Sequence, residues 1–209
     1  MKAIIVDLEL TQNNGNPKIL EIGAVLVHTK THEVLDVFSE ITNSGDMPDN
    51  FITNLTGITQ EMTQSAKSLR EVLRNFWEWC VKHEVSKEIA SWGREDYNYL
   101  IRTSKELGVP YPEKLECFDV SQIARIFRQG RGVKAKGGLK NTLETFGMQF
   151  EGNAHRAVID SYNTARVLFF IEQTIEFAVD VEKRFGSLKV ENDKECTNKF
   201  LSFKDIRGK

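Results

Sequence analysis

The chain has 209 residues, 40% of them apolar, and a formal net charge of −2. A chain of this size buries a full core as one domain; with no apolar run long enough to cross a bilayer and no leading secretory pattern, a cytoplasmic protein is expected and no membrane partner. The near-neutral charge excludes a globally basic nucleic-acid coat but leaves room for a basic patch beside an acidic cleft.

Residues 2–10 read as a central strand, and Asn13-Asn14-Gly15-Asn16-Pro17 as a turn. Residues 19–28 and 33–41 read as two further strands, and the polar turn around Thr29-Lys30-Thr31 is short enough to imply antiparallel neighbours. Asn43 to Asp49 reads as loop. Ser68-Leu69-Arg70-Glu71 has capping-box form, and Leu69, Val72, Leu73, Phe76 and Cys80 then recur at helical spacing. Val85 to Trp92 is a short strand; the helix after it carries Tyr97, Leu100, Ile101 and Leu107 on one face and ends at Gly108, Pro110 and Pro112. Leu115 to Val120 is another strand, followed by a helix from Ser121 to about Phe127. A Gly/Lys/Arg loop, a short helix around Leu139 to Phe146 and a long helix from about Arg156 to about Arg184 complete the order. Beyond Gly186 the chain is polar and loses periodicity.

The expected fold is α/β, a mixed five-stranded sheet with three antiparallel strands then parallel ones, flanked by helices. Residues 1–185 form the domain and 186–209 a polar tail or extension. Cys80, Cys117 and Cys196 are odd in number, far apart and without zinc spacing, so neither a disulfide framework nor a zinc site is expected; Cys80 and Cys117 read as core.

Asp7 and Glu9 interrupt the first apolar run, Ile4-Ile5-Val6-Asp7-Leu8-Glu9-Leu10-Thr11. Side chains alternate along a strand, so both acids share a face. Like charges that close repel, and a hard divalent cation such as Mg²⁺ or Mn²⁺ relieves the repulsion. The other reading is an edge strand with one wet face. Asp96 follows the fourth strand, where open sheets gather ligands at strand carboxyl ends; it also suits a helix N-cap. His155 precedes the last helix and Asp160 lies one turn inside it, a position the helix dipole favours for any acid.

In this order the motifs Asp7-Leu8-Glu9-Leu10-Thr11, Asp96 and His155 to Asp160 resemble the DEDDh family of 3′→5′ exonucleases, of ribonuclease-H-like fold. Glu21-Ile22-Gly23-Ala24 and Leu55-Thr56-Gly57-Ile58-Thr59 resemble its second strand and the segment after its first strands, so the likeness spans roughly residues 2–175. Trp92-Gly93-Arg94-Glu95 before Asp96 is similar to the branch containing histone-mRNA 3′ exonuclease and the sporulation inhibitor KapD, rather than to the commoner His-Asn pattern.

The resemblance implies two divalent ions, Mg²⁺ or Mn²⁺, held by Asp7, Glu9 and Asp160 with help from Asp96, and His155 as general base toward the attacking water. Glu9 and His155 would be the catalytic pair. Asp96 is preferred by spacing over the adjacent Glu95. Leu8 and Leu10 are placed by likeness against the terminal nucleotide, and Thr11 either holds the strand end or contacts the 3′-terminal group; Trp92, beside the proposed cleft, reads as a stacking or wall residue. Arg125, Arg128, Arg131, Lys134, Lys136 and Lys140 form a run without acids, and Gly130, Gly132, Gly137 and Gly138 loosen its middle. Arg131, Lys134 and Lys136 in particular suit a loop that tracks a phosphate backbone, although most charge runs are only solvated. Trp77 falls on an apolar helix face and reads as core.

The expected function is metal-dependent 3′→5′ hydrolysis of single-stranded RNA or DNA, RNA slightly preferred, releasing nucleoside 5′-monophosphates. The alternatives are a DNA-directed proofreading or repair exonuclease of the same fold and a non-catalytic nucleic-acid-binding module. Protein partners are not legible.

Overall fold

The computed structural model describes residues 2–12, 15–84, 88–112, 115–130, 132 and 137–185, the last five of these by backbone alone. The 186–209 tail and the cations Arg131, Lys134 and Lys136 lie outside the described residues.

Five strands form one sheet in the order β3-β2-β1-β4-β5: β1 Lys2–Leu10, β2 Ile19–His28, β3 Glu33–Ile41, β4 Glu88–Ser91 and β5 Glu116–Asp119. The first three are antiparallel neighbours, while β4 runs parallel to β1 and β5 parallel to β4. The expected mixed ribonuclease-H-like sheet is present, with β1 at its centre; the edge-strand reading of Asp7 and Glu9 is thereby removed. The carboxyl ends of β1 and β4 open at the same side, which is where a parallel pair collects ligands.

The helices are α1 Asn50–Thr56, α2 Gln60–Ser65, α3 Leu69–Lys82, α4 Glu95–Leu107, α5 Val120–Gly130, α6 Leu139–Thr145 and α7 Ala157–Phe185. Ser68 and Glu71 close the capping box of α3 in both directions. Gly108 ends α4 in the left-handed region (φ 63), which glycine enters without strain. Two helices had no counterpart in the expected order. Both are a turn or two long and start on side-chain caps: Asp49 accepts from the Ile52 N–H at 2.8 Å, and Thr59 from the Met62 N–H at 3.2 Å.

Two cores flank the sheet. Ile4, Val6 and Leu8 of β1 face α3 and α4, meeting Val72, Leu73, Phe76 and Leu100. Trp77 and Cys80 lie in this core, and the Trp77 indole N–H donates to Ser104 Oγ at 2.9 Å. Ile5, Val25, Val27 and Ala90 face the other way, onto Val120, Ala124, Leu143, Ala165 and Ile171 of α5, α6 and α7. Cys117 is half-buried rather than deep core.

Candidate active site

Alternation carries β1 from apolar to acidic on one face only. After Ile5, the next two residues toward α7 are Asp7 and Glu9. Their partners across the β1–β2 ladder are Gly23 and Glu21. Gly23 is required here by close approach: a Cβ at this position would lie 2.0 Å from the Val158 backbone nitrogen. The first turn of α7 therefore rests directly on β2, and Ser161 Oγ fastens it by donating to the Gly23 carbonyl at 2.8 Å. That contact delivers Asp160. Ligand oxygens of Asp7, Glu9 and Asp160 all lie within 4.8 Å of one another, the only such group of acids, His or Cys among the described residues.

Asp96 joins from α4. The helix begins after Arg94, so Asp96 is not its N-cap. Its carboxylate turns inward and accepts the Leu8 N–H, while Glu95 beside it is exposed. His155 sits in the bend before α7 with left-handed backbone (φ 63), a conformation that costs a non-glycine residue about 1 kcal/mol or more. Its N–H donates to Asp160 Oδ2 at 2.8 Å, and the residue is exposed beside the acidic cluster.

The electrostatics match a cation site. Burial, then repulsion from Asp96, Asp160 and Glu9, pushes the Asp7 carboxyl well above the ordinary carboxylate range. Burial first, then Asp160 and Glu21, raises Glu9 to about 8. Asp96 is raised to about 7, chiefly by burial, against the lowering effect of the Leu8 N–H. Asp160 is raised by burial despite the N–H groups of His155 and Arg156. A set of hard oxygen donors whose mutual repulsion costs energy when empty of charge partners is what a divalent cation stabilises. The residues present fit such an ion.

The profile of the RNase_T exonucleases matches residues 4–168. The chain belongs to this family. Within the family the chain is similar to DEDDh members, a class whose fold implies divalent metal ions. Human 3′-5′ exoribonuclease 1 is 26% identical over 200 residues, which are 88% of this chain and 56% of the human protein. PolC-type DNA polymerase III of Caldanaerobacter subterraneus is 28% identical over 196 residues, 91% of this chain but 13% of the polymerase. The exonuclease thus spans about half the length of the first and a small part of the second. The nuclease domain of 3′hExo, a DEDDh family member bound to rAMP, superposes with a TM-score of 0.72 at 25% identity, over 83% of this chain and 92% of that one.

The remaining expected site residues divide. Leu8 turns its side chain into the α3–α4 core, so only its main chain borders the acidic cluster. Leu10 packs at the edge of the same core. Thr11 is buried and ties the strand end: its N–H donates to the Lys18 carbonyl and its hydroxyl accepts the Lys18 N–H, both at 2.9 Å. Trp92 is half-buried and lines an open cavity of about 470 Å³ with Gln122, Arg125 and Gly138. Of the basic run, Arg128 is not loop but helix α5, buried, donating to Thr142 Oγ1 at 3.0 Å; Arg125 and Lys140 are exposed.

Sequence reasoning did not single out Glu21 and Arg156. Glu21 is fully buried one strand away from Glu9, yet it is held by the Arg156 guanidinium, the Ala157 N–H and the Ser39 hydroxyl rather than facing the other acids. The sequence signals are a glutamate within the otherwise apolar Ile19–Val27 run and the likeness of Glu21-Ile22-Gly23-Ala24 to a family strand, neither of which points to a partner for its carboxylate.

Proposed function

We propose that this exonuclease removes nucleotides one at a time from the 3′ end of single-stranded nucleic acid, releasing nucleoside 5′-monophosphates, with RNA preferred over DNA. The observation that carries this reading is the convergence of Asp7, Glu9 and Asp160, with Asp96 at their side and the His155 imidazole at the opening. Binding alone has no use for an exposed imidazole beside four half-buried acids. The RNA preference is supported by the likeness to 3′-5′ exoribonuclease 1 and to a nuclease domain bound to rAMP.

Two divalent ions, Mg²⁺ or Mn²⁺, held by Asp7, Glu9, Asp160 and Asp96, would supply Lewis acidity to the attacking and leaving oxygens of the phosphodiester. His155 takes the proton from the attacking water at a ring nitrogen, a task imidazole performs near neutral pH. Its exposure lets the ring turn toward the substrate, while its fixed main chain keeps the swing short. Glu9 and Asp160 hold the scissile phosphate's surroundings rigid, because each is mounted on a regular element. Leu10 and Thr11 border the terminal nucleotide, Leu8 contributes main chain there, and Trp92 offers a ring face to a base further along the strand. Arg131, Lys134 and Lys136 draw the phosphate backbone toward the cleft.

The likeness to PolC-type polymerases favours a second reading, a DNA-directed exonuclease on the same chemistry. One experiment tests both. The protein is incubated with 5′-labelled single-stranded RNA or DNA of one sequence, with Mg²⁺, with Mn²⁺ or with EDTA. Stepwise shortening from the 3′ end, faster on RNA and abolished by EDTA, is expected. Faster shortening of DNA establishes the second reading. Retention of labelled strand without shortening makes the protein a binding module and removes the enzyme.

A further inference from the structure

Glu21 has no lone pair to spare. Its Oε1 accepts from Arg156 Nη2 at 2.7 Å and from Ser39 Oγ at 3.4 Å; its Oε2 accepts from Arg156 Nε at 3.1 Å and from the Ala157 N–H at 3.0 Å. It is fully buried and stands opposite Glu9 in the strand pair. It is nonetheless absent from the set of acids whose oxygens converge. A carboxylate this completely committed to other donors is not a metal ligand; it is a fastening point.

What it fastens is the bend at His155. Arg156 is the next residue in the chain, and Ala157 opens α7. On the other side, the His155 N–H is bound by Asp160 Oδ2 at 2.8 Å. The left-handed backbone of His155 is therefore gripped from within α7 by Asp160 and from β2 by Glu21, while its ring stays exposed. A two-pronged guanidinium–carboxylate contact fixes tilt as well as distance, which a single-point ammonium contact does not.

We infer that Glu21 and Arg156 are positioning residues of this exonuclease, their two-pronged ion pair holding the His155 backbone over the acidic centre so that the imidazole reaches the attacking water. The inference rests on the proposed role of His155 and gives the pair no contact with substrate.

Truncating either partner leaves a buried unpaired charge and threatens the fold, so the informative variants are Glu21→Gln and Arg156→Lys. Two readouts are needed, one of them independent of activity. The first is amide hydrogen exchange. In either variant, exchange at residues 155–160 should rise about tenfold or more while β1 and α3 stay protected, the mark of a local opening. The second is steady-state cleavage of a 5′-labelled oligonucleotide. The kcat should fall about 10–100-fold with KM changed less than about threefold, the scale of a misplaced group. Placed on a His155→Ala background, the same substitutions should cost less than about twofold, because pairs that act through one group are not additive.

Unchanged exchange at 155–160 overturns the inference. So does a full additional loss on the His155→Ala background, which would make the pair a tie that serves the fold alone. Should the parent protein fail to shorten any strand, the exonuclease reading falls, and the exchange measurement still decides whether the pair anchors the bend.

Discussion

The two faces of the sheet are built for different ends. Toward α3 and α4, β1 offers Ile4, Val6 and Leu8 without interruption, and the packing includes Phe76 and Leu73 with no exposed surface. Toward α7 the same strand begins apolar, with Ile5, and ends in Asp7 and Glu9. One face draws stability from burial along its whole length. The other holds like charges close together, an arrangement that weakens the fold and gains value only when something positive sits among them. Stability and chemistry are thus divided between faces of a single strand, and the division can be probed substitution by substitution.

The largest effect should come from the acidic face. Asp7→Ala is expected to abolish measurable cleavage while leaving the metal-free melting temperature unchanged or higher, since it removes a repelled carboxylate. A lower metal-free melting temperature would show that Asp7 supports the fold. His155→Ala should reduce kcat by about 10²–10⁴-fold, the range for losing a general base, at an unaltered melting temperature. An unchanged kcat would take His155 out of the reaction.

The opposite face should respond in reverse. Phe76→Ala, at a fully buried position, should cost about 3–5 kcal/mol in denaturant unfolding while the molecules that remain folded keep their kcat. Gly23→Ala sits between the two cases. Its new Cβ meets α7 backbone, so α7 must shift, at about 1–3 kcal/mol and with loss of Mn²⁺ affinity measurable by calorimetry. Retained Mn²⁺ affinity would mean that the Gly23–α7 contact does not place Asp160.

The most diagnostic effect is on pH. Glu9 is raised from an ordinary 4.5 to about 8, and Asp96 from 3.8 to about 7. The folded state therefore holds protons that the unfolded chain has released. Their contribution to stability is complete below about pH 4 and is lost as pH rises through 7 to 8. With EDTA the melting temperature should fall between pH 5 and pH 8, by about 2–4 °C for each kcal/mol lost. With Mn²⁺ the slope should flatten or invert, because the ion competes with those protons. A metal-free melting temperature that climbs over that range would contradict the raised values.

Much of this was legible because period and chemistry agreed. The alternation in residues 2–10 and the helical spacing from Leu69 to Cys80 reflect faces that are buried for simple reasons, and they return as β1 and α3. Asp7 and Glu9 stood out because they interrupt an apolar run, where burial of a polar group calls for a reason; Asp96, His155 and Asp160 each suit an ordinary cap, loop or helix-start position and stood out only through the resemblance of the whole order to a known family. The short helices α1 and α2 left no such trace. Neither is long enough to repeat a face, and α2 buries only Thr63. Glu21 fell within a strand motif, but its role was invisible for another reason. What distinguishes it from a surface glutamate is Arg156, 135 positions away in the chain, and only tertiary structure brings the two together. Arg128 misled in the same manner, since a cation in a basic run gives no sign that its guanidinium is buried against Thr142.

The ladder pairing of Glu9 with Glu21, and of Asp7 with Gly23, has a consequence for assembly. Because a strand reverses its faces at each step, a slip of a single position between β1 and β2 would drive both acids of β1 into the Phe76 layer and swing leucines into the place of the ligands. No partly active form is available from such an error. Cleavage by this molecule would be an all-or-nothing certificate that its hairpin had zipped in the right frame.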